Sequence, residues 1–477
     1  MIIYFSEQPE AFIREQQREL LRASFSSMAF ALRFDFLQYY LSQPSRVELV
    51  AFVYLSKENC RADISVAFFQ FDQNFILSVD LLSDDLTSLQ DFAKKSQVPW
   101  IDLSMPLALD PVKIPKPWGQ EIWYTGVEVR GVSKVIAQGF TTPLPWVLAL
   151  LPDYMAAGLE KKIILLKALN PLPDEVYGDL YFELHEKKQE VYVVTHVDEQ
   201  AWNGKVGAIR LGFDNKKRVQ YKSDHEFKFA YLTAVKNYEI VRYKIDKLLD
   251  CEQTKLGEEI DSPVNAATLQ RLIAPIPEAL NQQEQKAREL MNSFSAVQPL
   301  QVGDVVTIPC FVPHALQHGV STLEFQTPVY ERKILSFAQK VLTQNHWDTE
   351  AALEKVLLDI PAQTAHRVVF VSESGAIKVE EIVSFDDFNV NRISLAPYTT
   401  YALPIQDSYA LLIAVASSCK LLSQAFDVSV SAETALFLPH SLMSDIQQSL
   451  WVSTDDVAVQ VLIASPSATL HRNDSSA

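Results

Sequence analysis

The sequence predicts a mainly β protein with α-helical insertions. Short segments rich in Val, Ile and Phe, separated by turn residues, recur in two regions, 111–340 and 341–477. Closely spaced strands of this kind form sandwiches or barrels. A stretch of helical spacing at 220–298 interrupts the first region. Residues 1–110 mix both patterns, which predicts a separate α+β module in front of the two all-β domains.

The N-terminal module begins with a helical pattern from Gln8 to Leu41, in which apolar residues share one side. Strands and then a short helix are predicted at Val47–Leu55, Ala62–Phe71, Phe75–Leu82 and Leu86–Lys95. The module contains no chemical motif. We therefore expect residues 1–110 to serve in packing or in contact with another protein.

The first all-β region starts after a proline-rich hinge at Pro106–Pro117. Its predicted strands are Glu121–Val129, Val132–Ala137, Lys162–Lys167, Leu180–Leu184, Val191–Val197, Asp304–Pro309 and Val320–Gln326. Helices are predicted near Glu226–Leu249, Ala266–Leu272 and Ile276–Phe294. A helical stretch around His346–Leu357 separates this region from a second all-β run, Val368 to Ile463, and a polar tail follows from Ser465.

Composition excludes several classes of protein. The chain has 42 basic and 59 acidic side chains and a net charge of −17, which repels nucleic acid phosphates and anionic membranes. No apolar stretch approaches the ~20 residues of a membrane-spanning helix. The four cysteines are far apart and lack CxxC spacing, and the first residues do not resemble a signal peptide. We expect a cytoplasmic protein with reduced thiols.

Two segments combine residues that bind metal ions. Glu183 and His185 are two residues apart, so in a strand both side chains project from one face, and Glu190 opens the next strand after a tight turn. Farther along, the strand before Pro309 leads into a proline-stiffened turn that presents His314. Two imidazoles and two carboxylates suit zinc, iron or manganese. The two ionised glutamates would balance the charge of a divalent ion.

The spacing of these residues resembles the two motifs of cupin barrels. Glu183, His185 and Glu190 stand at the ligand positions of the first motif, while Gly303, Pro309 and His314 match the second. The resemblance implies two cupin (jelly-roll) β-barrels, the first with a metal site and interrupted by the helical insertion.

A narrower resemblance is to the type I mannose-6-phosphate isomerases, and it covers roughly residues 112–465. The segments that carry it are Glu183 with His185, Lys188 with Glu190, Ile308–Pro309 through His314–Ala315, Lys116–Gly119 and Leu323–Gln326. In that family the first ligand pair is Gln-x-His, so Glu183 stands in place of a glutamine. Ala435–Pro439 is similar to the family's metal-free C-terminal barrel.

The resemblance implies a metal-dependent aldose–ketose isomerase that acts on a hexose 6-phosphate through a cis-enediolate. One divalent metal, expected to be zinc with iron, manganese or nickel as alternatives, would be held by Glu183, His185, Glu190 and His314. Lys188 would move the proton between C1 and C2. The remaining implied residues contact the phosphorylated sugar: Lys116, Trp118 and Arg332.

Two other functions stay open. The segment after Gln326 is shorter than in the isomerases, which favours a cupin that binds a sugar or sugar phosphate without converting it. A third possibility is another metal-cupin enzyme, such as an oxygenase, which requires a redox-active metal. Two further histidines, His196 and His318, could approach the site, but surface positions are the stronger prediction for both. For Trp118, the alternative to contact with the sugar is a position in the hydrophobic core.

Overall fold

The computed structural model describes residues 1–41, 43–58, 61–71, 83–151, 163–257, 259–260, 264, 266–361, 366–444 and 449–467. The predicted strand Phe75–Leu82 and Cys60 lie outside these residues. The described residues fall into two compact units: Met1–Val112, Trp123–Leu165 and His366–Ala477 form the first, and Lys113–Ile122 and Leu166–Ala365 form the second. Each unit joins segments that are distant in sequence, and the three consecutive domains predicted at 1–110, 111–340 and 341–477 remain a prediction.

The chain up to residue 148 belongs mostly to the first unit. Its strands are β1 (Ile3–Phe5), β2 (Ser27–Gln38), β3 (Ser45–Glu58), β4 (Arg61–Gln70), β5 (Ile101–Asp102), β6 (Leu107–Asp110), β7 (Val112–Lys116), β8 (Gly119–Trp123), β9 (Val127–Glu128), β10 (Gly131–Val132), β11 (Lys134–Ala137) and β12 (Phe140–Pro143). Its helices are α1 (Pro9–Arg22), α2 (Leu86–Lys95) and α3 (Leu144–Leu148).

The chain from 165 to 355 forms most of the second unit. Its strands are β13 (Leu165–Pro171), β14 (Phe182–Leu184), β15 (Glu190–Val197), β16 (Gly207–Phe213), β17 (Ser295–Leu300), β18 (Val305–Ile308), β19 (His314–Leu316), β20 (Val320–Gln326) and β21 (Lys333–Ser336). Its helices are α4 (Asn215–Arg218), α5 (Asp224–Leu256), α6 (Ala266–Ile273), α7 (Glu278–Asn292) and α8 (Thr349–Lys355), with a 3₁₀ turn at Asn203–Lys205.

The remaining strands return to the first unit. They are β22 (Arg367–Val371), β23 (Ile377–Ser384), β24 (Phe388–Leu395), β25 (Thr400–Ala402), β26 (Ala410–Ala414), β27 (Cys419–Leu422), β28 (Asp427–Val430), β29 (Ala435–Leu438), β30 (Trp451–Ser453) and β31 (Val459–Pro466), with the short helix α9 (His440–Met443). The mainly β composition predicted from the sequence is therefore confirmed.

The first unit contains three extended sheets. The N-terminal sheet has the strand order β1-β2-β3-β4-β5, and the small sheet has the order β25-β30-β27-β28. The large sheet has the order β12-β11-β6-β29-β26-β31-β24-β23-β22. An apolar cluster fills the space between the large and small sheets, with Leu412, Val461, Leu421 and Val452 among its members. Alternation places these residues on the inner faces of their strands.

The N-terminal sheet corrects one prediction. The helix expected from Gln8 to Leu41 ends at Arg22, and Ser27–Gln38 is a strand that pairs along its length with β3. Phe30, Leu32, Phe34 and Phe36 are buried. Their spacing of two residues fits a half-buried strand, and it outweighs the helical spacing over this segment.

The second unit is built from two sheets. The site sheet has the order β18-β15-β20-β13-β8-β7, and the cover sheet has the order β17-β16-β19-β14-β21. Apolar residues from both sheets pack between them, including Val194 and Ile308 from the first and Ile209 and Leu316 from the second. The two sheets therefore form a sandwich whose inner faces can present side chains to one space.

Helices cover the outside of this sandwich, where the sequence predicts a helical insertion. Helix α5 begins after Ser223, whose hydroxyl accepts from the backbone N–H of Glu226, and it ends at Gly257 with φ of 73°. Phe227, Tyr231 and Tyr238 from α5 pack into an apolar cluster on the sandwich. The three predicted helices of this insertion are confirmed, with small shifts in their ends.

No α-helix among the described residues is both long and apolar enough to cross a membrane.

Leu412→Ala should lower the free energy of unfolding by about 3 kcal/mol, because Leu412 is fully buried in the cluster between the large and small sheets and truncation leaves a cavity. Chemical denaturation with circular dichroism measures the change. The control is Val457→Ala, since Val457 is 53% exposed, and its effect should stay within about 0.5 kcal/mol. Equal midpoints for both variants would contradict the packing described for this cluster.

Candidate metal centre

Two strands of the cover sheet bring the predicted ligands together. Glu183 lies on β14 directly opposite His314, the first residue of β19. His185 follows β14, and its Nε2 lies 3.8 Å from Oε1 of Glu183, as expected for residues two apart on one strand face. The possible ligand atoms of Glu183, His185 and His314 all lie within 4.8 Å of one another. These three residues form a cluster that could hold a metal ion.

Glu190, the fourth predicted ligand, reaches the same cluster from the site sheet. It is the first residue of β15 and is 2% exposed. Its Oε1 lies 3.3 Å from Nε2 of His185, and its Oε2 lies 3.2 Å from Nε2 of His314. The hydroxyl of Tyr192 donates to Oε2 of Glu190 at 2.8 Å. All four predicted ligands therefore meet between the two sheets.

Backbone carbonyls fix the orientation of both imidazoles. Nδ1 of His185 lies 3.0 Å from the carbonyl oxygen of Glu331, and Nδ1 of His314 lies 3.2 Å from that of Val312. Because a carbonyl oxygen only accepts, each Nδ1 carries the proton and each ring turns Nε2 towards the carboxylates. Metal-binding histidines are commonly oriented in this way.

The electrostatics of His185 fit a cation between these groups. Burial, together with the Lys188 cation, holds the pKa of His185 well below its usual value despite the opposing effect of Glu190. The ring is therefore neutral, and its Nε2 lone pair faces carboxylate oxygens. Nε2 of His185 is buried and lacks a hydrogen-bond partner among the described residues. Oε2 of Glu183 also has no hydrogen bond among them, although Nη1 of Arg332 lies 3.5 Å away. A bound cation would satisfy both atoms.

Lys188 is the positive charge next to this cluster. Its Nζ lies 2.7 Å from Oε1 of Glu190, and the side chain is 9% exposed. Burial alone would lower the pKa of Lys188, but Glu190, Glu324 and Glu183 outweigh that effect and raise it above the usual value. Burial would raise the pKa of Glu190, but the Lys188 cation holds it well below its usual value. Lys188 and Glu190 thus form a buried ion pair.

A row of polar side chains continues from Glu190 across the site sheet. The row follows the order of five neighbouring strands and consists of Glu190 on β15, Gln326 on β20, Lys167 on β13, Glu121 on β8 and Lys116 on β7. Nζ of Lys167 donates to Oε1 of Gln326 at 2.9 Å, and Nζ of Lys116 lies 3.0 Å from Oε1 of Glu121. We call these five residues the polar row.

Glu324 adds an acidic group beside the polar row. Glu324 lies on β20, opposite Tyr192 of β15, and it is 3% exposed. Burial, reinforced by the nearby Glu190 carboxylate, raises the pKa of Glu324 well above its usual value. The pKa values of the two buried carboxyl groups, Glu324 and Glu190, therefore shift in opposite directions.

Sequence reasoning did not assign roles to Lys167, Glu121, Glu324 and Gln326. The signal for the last two was present, since Glu324 and Gln326 alternate with Leu323 and Phe325 at the end of β20. A polar side chain at such a position of a buried strand indicates a lined cavity or a paired group. Lys167 and Glu121 lie on strands distant in sequence from β15, and only the sheet order places them in the same sheet as Glu190.

Arg332 and Trp118 occupy different surroundings. Nη1 of Arg332 lies 3.5 Å from Oε2 of Glu183, Nη2 donates to the Thr343 hydroxyl at 2.8 Å, and Cζ lies 4.6 Å from the ring centroid of Tyr181. Trp118 is 1% exposed and belongs to the apolar cluster between the two sheets. Arg332 therefore borders the candidate site, and Trp118 contributes to its walls.

The two remaining histidines differ from each other. His196 is exposed, in agreement with the surface position favoured from the sequence. His318 is buried, its Nδ1 lies 2.8 Å from Oδ1 of Asp179, and its ring stacks on Trp202. The expectation of an exposed turn histidine at 318 is therefore wrong, because the turn folds onto Trp202.

Comparison with known proteins gives weak structural matches. The mannose 6-phosphate isomerase from Bacillus subtilis is 12% identical, with 76% of this chain and 99% of that chain covered and a TM-score of 0.49. A mutant phosphomannose isomerase from Salmonella typhimurium is 14% identical with the same coverage and a TM-score of 0.48. A zinc-bound mannose 6-phosphate isomerase is 14% identical, again with 76% and 99% covered, and its TM-score is 0.49.

No protein-family profile matches the sequence, and no curated protein sequence matches it either.

Lys188→Met should destabilise the metal-free protein by about 3 kcal/mol at pH 7, because it leaves the buried Glu190 carboxylate without its cation. The effect should shrink as the pH falls from 7 towards 5, since burial alone raises the pKa of Glu190 and protonation then removes the unpaired charge. Chemical denaturation at pH 7 and at pH 5, with a metal chelator present, measures the loss of stability and its dependence on pH. Lys187→Met is the matched control, because Lys187 is an exposed neighbour. A loss of stability that does not vary with pH would contradict the ion pair.

Proposed function

We propose that the second unit binds one divalent metal ion and isomerises a hexose 6-phosphate between its aldose and ketose forms, as in mannose 6-phosphate and fructose 6-phosphate. One observation carries the proposal: the Nε2 lone pair of His185, buried and without a hydrogen-bond partner among the described residues, faces two glutamates beside the Lys188 ammonium group. This arrangement supplies metal ligands and a proton-handling group in one place.

The proposed ligands are Glu183, His185, Glu190 and His314. Imidazole and carboxylate donors suit zinc, iron, manganese and nickel, and we expect zinc. A divalent ion held there would polarise the oxygens on C1 and C2 of the sugar and stabilise the negative charge of a cis-enediolate. The charges of Glu183 and Glu190 would offset those of the ion, so the occupied site would be close to neutral.

Lys188 is the proposed proton carrier between C1 and C2. Its contact with Glu190 holds Nζ at the edge of the ligand cluster. In the occupied site a dication would oppose the effect of the carboxylates and push Lys188 towards its neutral form. A neutral amine can accept a proton from one carbon and return it to the next.

The polar row is the proposed binding surface for the rest of the sugar. Gln326 and Glu324 offer hydrogen bonds to hydroxyl groups, and Lys167 and Lys116 place positive charge farther from the ligand cluster. A phosphate group is recognised by such lysines and by Arg332, against the overall negative charge of the chain. Contact of Trp118 with substrate remains a prediction, and its burial supports a role in packing.

The proposal extends to the fold. We infer that the sandwich of site and cover sheets is a cupin barrel with a metal, and that the large and small sheets contribute a second barrel without one. The apolar residues that pack between the large and small sheets support the second inference, because hard divalent ions bind oxygen ligands. Residues 1–110 remain a proposed contact module for another protein.

A binding protein without turnover is the second candidate. Arg332 is held by Glu183, Thr343 and Tyr181, which leaves less of its guanidinium for a phosphate. This observation favours a protein that holds the sugar without converting it. An oxygenase is the third candidate, and metal identity separates it from the others because oxygen chemistry needs a redox-active ion.

We expect about one divalent metal ion per chain in the purified protein, measured by elemental analysis. The double variant His185→Ala, His314→Ala should lose it, because both imidazoles belong to the ligand cluster. His196→Ala is the matched control, since His196 is exposed, and it should keep the metal. Unchanged metal content in the double variant would rule out this site.

Lys188→Met in the metal-loaded protein should lower turnover of fructose 6-phosphate by about 10²–10⁴-fold while metal content persists, because it removes a general acid–base group. Lys187→Met should retain wild-type turnover. Equal activity of the two variants would show that Lys188 does not carry the proton. A wild-type protein that holds metal and binds hexose phosphates without turnover would favour the binding function.

A further inference from the structure

A short turn at residues 186–189 joins two of the proposed metal ligands, and we call it the ligand turn. His185 directly precedes it, and Glu190 follows it as the first residue of β15. Lys188 lies within the turn, and its Nζ lies 2.7 Å from Oε1 of Glu190. The conformation of the ligand turn therefore determines how these two ligands and the ammonium group lie relative to one another.

The side chain of Glu331 holds the first half of the ligand turn. Glu331 belongs to the connection between β20 and β21, residues 327–332. Its Oε1 accepts from the backbone N–H of Glu186 at 2.6 Å and from the backbone N–H of Lys187 at 2.8 Å. Hydrogen bonds to an ionised carboxylate are stronger than those between neutral groups. One carboxylate oxygen thus fixes two consecutive amides.

The backbone of Glu331 orients one of the ligands. Its carbonyl oxygen lies 3.0 Å from Nδ1 of His185. Glu331 therefore contacts the ring of His185 through its main chain and the turn after His185 through its side chain. If the side chain is removed, the carbonyl and the ring are no longer held together by the contacts to the turn.

The second half of the ligand turn has its own contact. The backbone N–H of Gln189 donates to the hydroxyl of Thr327 at 3.1 Å, and the backbone N–H of Thr327 donates to the carbonyl of Gln189 at 3.0 Å. These bonds do not involve the Glu331 side chain. A variant without that side chain should therefore stay folded, with the turn still attached at Gln189.

We propose that Glu331 is a positioning residue: its carboxylate holds the ligand turn so that His185 and Lys188 keep the placement that metal binding and proton transfer require. This role rests on the proposed function. Lys187 is exposed, so water could satisfy its backbone N–H without Glu331. The carboxylate is thus needed for the geometry of the turn rather than to pair a buried donor.

The zinc affinity of the full chain, measured by competition with a chromogenic chelator, tests this role. Glu331→Ala should bind zinc about 10–100-fold more weakly, the usual cost of losing a group that orients a metal ligand. Glu331→Gln should bind nearly as tightly as the wild type, because its amide oxygen also accepts from both backbone N–H groups. Wild-type affinity in the alanine variant overturns the role, and so does a glutamine variant as weak as the alanine variant.

Lys355→Ala is the matched control for a general loosening of the turn. Nζ of Lys355 lies 2.6 Å from Oε2 of Glu186, but the Lys355 side chain is 50% exposed, and exposed ion pairs contribute little. This variant should keep the zinc affinity of the wild type. A loss equal to that of Glu331→Ala would show that any contact to the turn has the same effect, and it would overturn a specific role for Glu331.

Hydrogen exchange of the metal-free protein, followed by mass spectrometry, tests the hold on the turn without zinc or turnover. Glu331→Ala should exchange faster than the wild type in peptides that cover the ligand turn, because two amides lose their acceptor. Glu331→Gln should exchange as the wild type does. Unchanged exchange in the alanine variant overturns the hold.

Turnover separates this role from the proposed function. A wild type whose zinc affinity depends on Glu331, but which does not isomerise a hexose 6-phosphate, overturns the isomerase and supports the positioning role. A wild type that isomerises and whose Glu331→Ala variant binds zinc equally well overturns the positioning role alone. A wild type that binds no zinc overturns both.

Discussion

The buried carboxylate of Glu190 is the group around which the second unit is organised. It accepts from Tyr192 and contacts Lys188, His185 and His314, all within 3.3 Å. An ionised carboxylate that is 2% exposed is very unfavourable unless cations and donors surround it. Glu190 lies at the start of β15, where the site sheet meets the ends of β14 and β19. This position determines which side chains can supply the cations and hydrogen-bond donors.

The order of strands in the site sheet then sets where the other polar groups lie. Strand β20 lies beside β15, so Gln326 is opposite Glu190 and Glu324 is opposite Tyr192. Strand β13 comes next and brings Lys167 to Gln326. The polar row therefore leads from the Glu190 carboxylate through the neutral Gln326 amide to the charged side chains of Lys167, Glu121 and Lys116. Such an arrangement suits an extended polar molecule with an anionic end.

Local patterns in the sequence predicted much of this site, because spacing along one strand is a local property. Glu183 and His185 share a face through strand alternation, and the turn after Pro309 presents His314. The helical insertion could also be predicted from the sequence, since α5 is long and has a serine N-cap and a glycine C-cap. These features depend on residues close together in sequence.

Pairing between distant segments could not be predicted in the same way. Strand β6 pairs with β29, although more than 300 residues separate them, and nothing in either sequence specifies the partner. For the same reason, the sequence did not predict the positions of Lys167 and Glu121, whose neighbours come from other strands of the site sheet. The error at Ser27–Gln38 was different in kind, because that segment permits both periodicities and pairing with β3 decides between them.

The two sandwiches of this chain provide an internal comparison. Between the large and small sheets, inward positions hold residues such as Leu412, Val461 and Ile463. Between the site and cover sheets, the neighbours of an apolar cluster are Lys188, Glu190 and Glu324. Replacing buried ion pairs with apolar residues is often neutral or stabilising, so folding alone does not require these charges. Since apolar residues fill the space between the large and small sheets, these buried ionisable side chains support the proposed site.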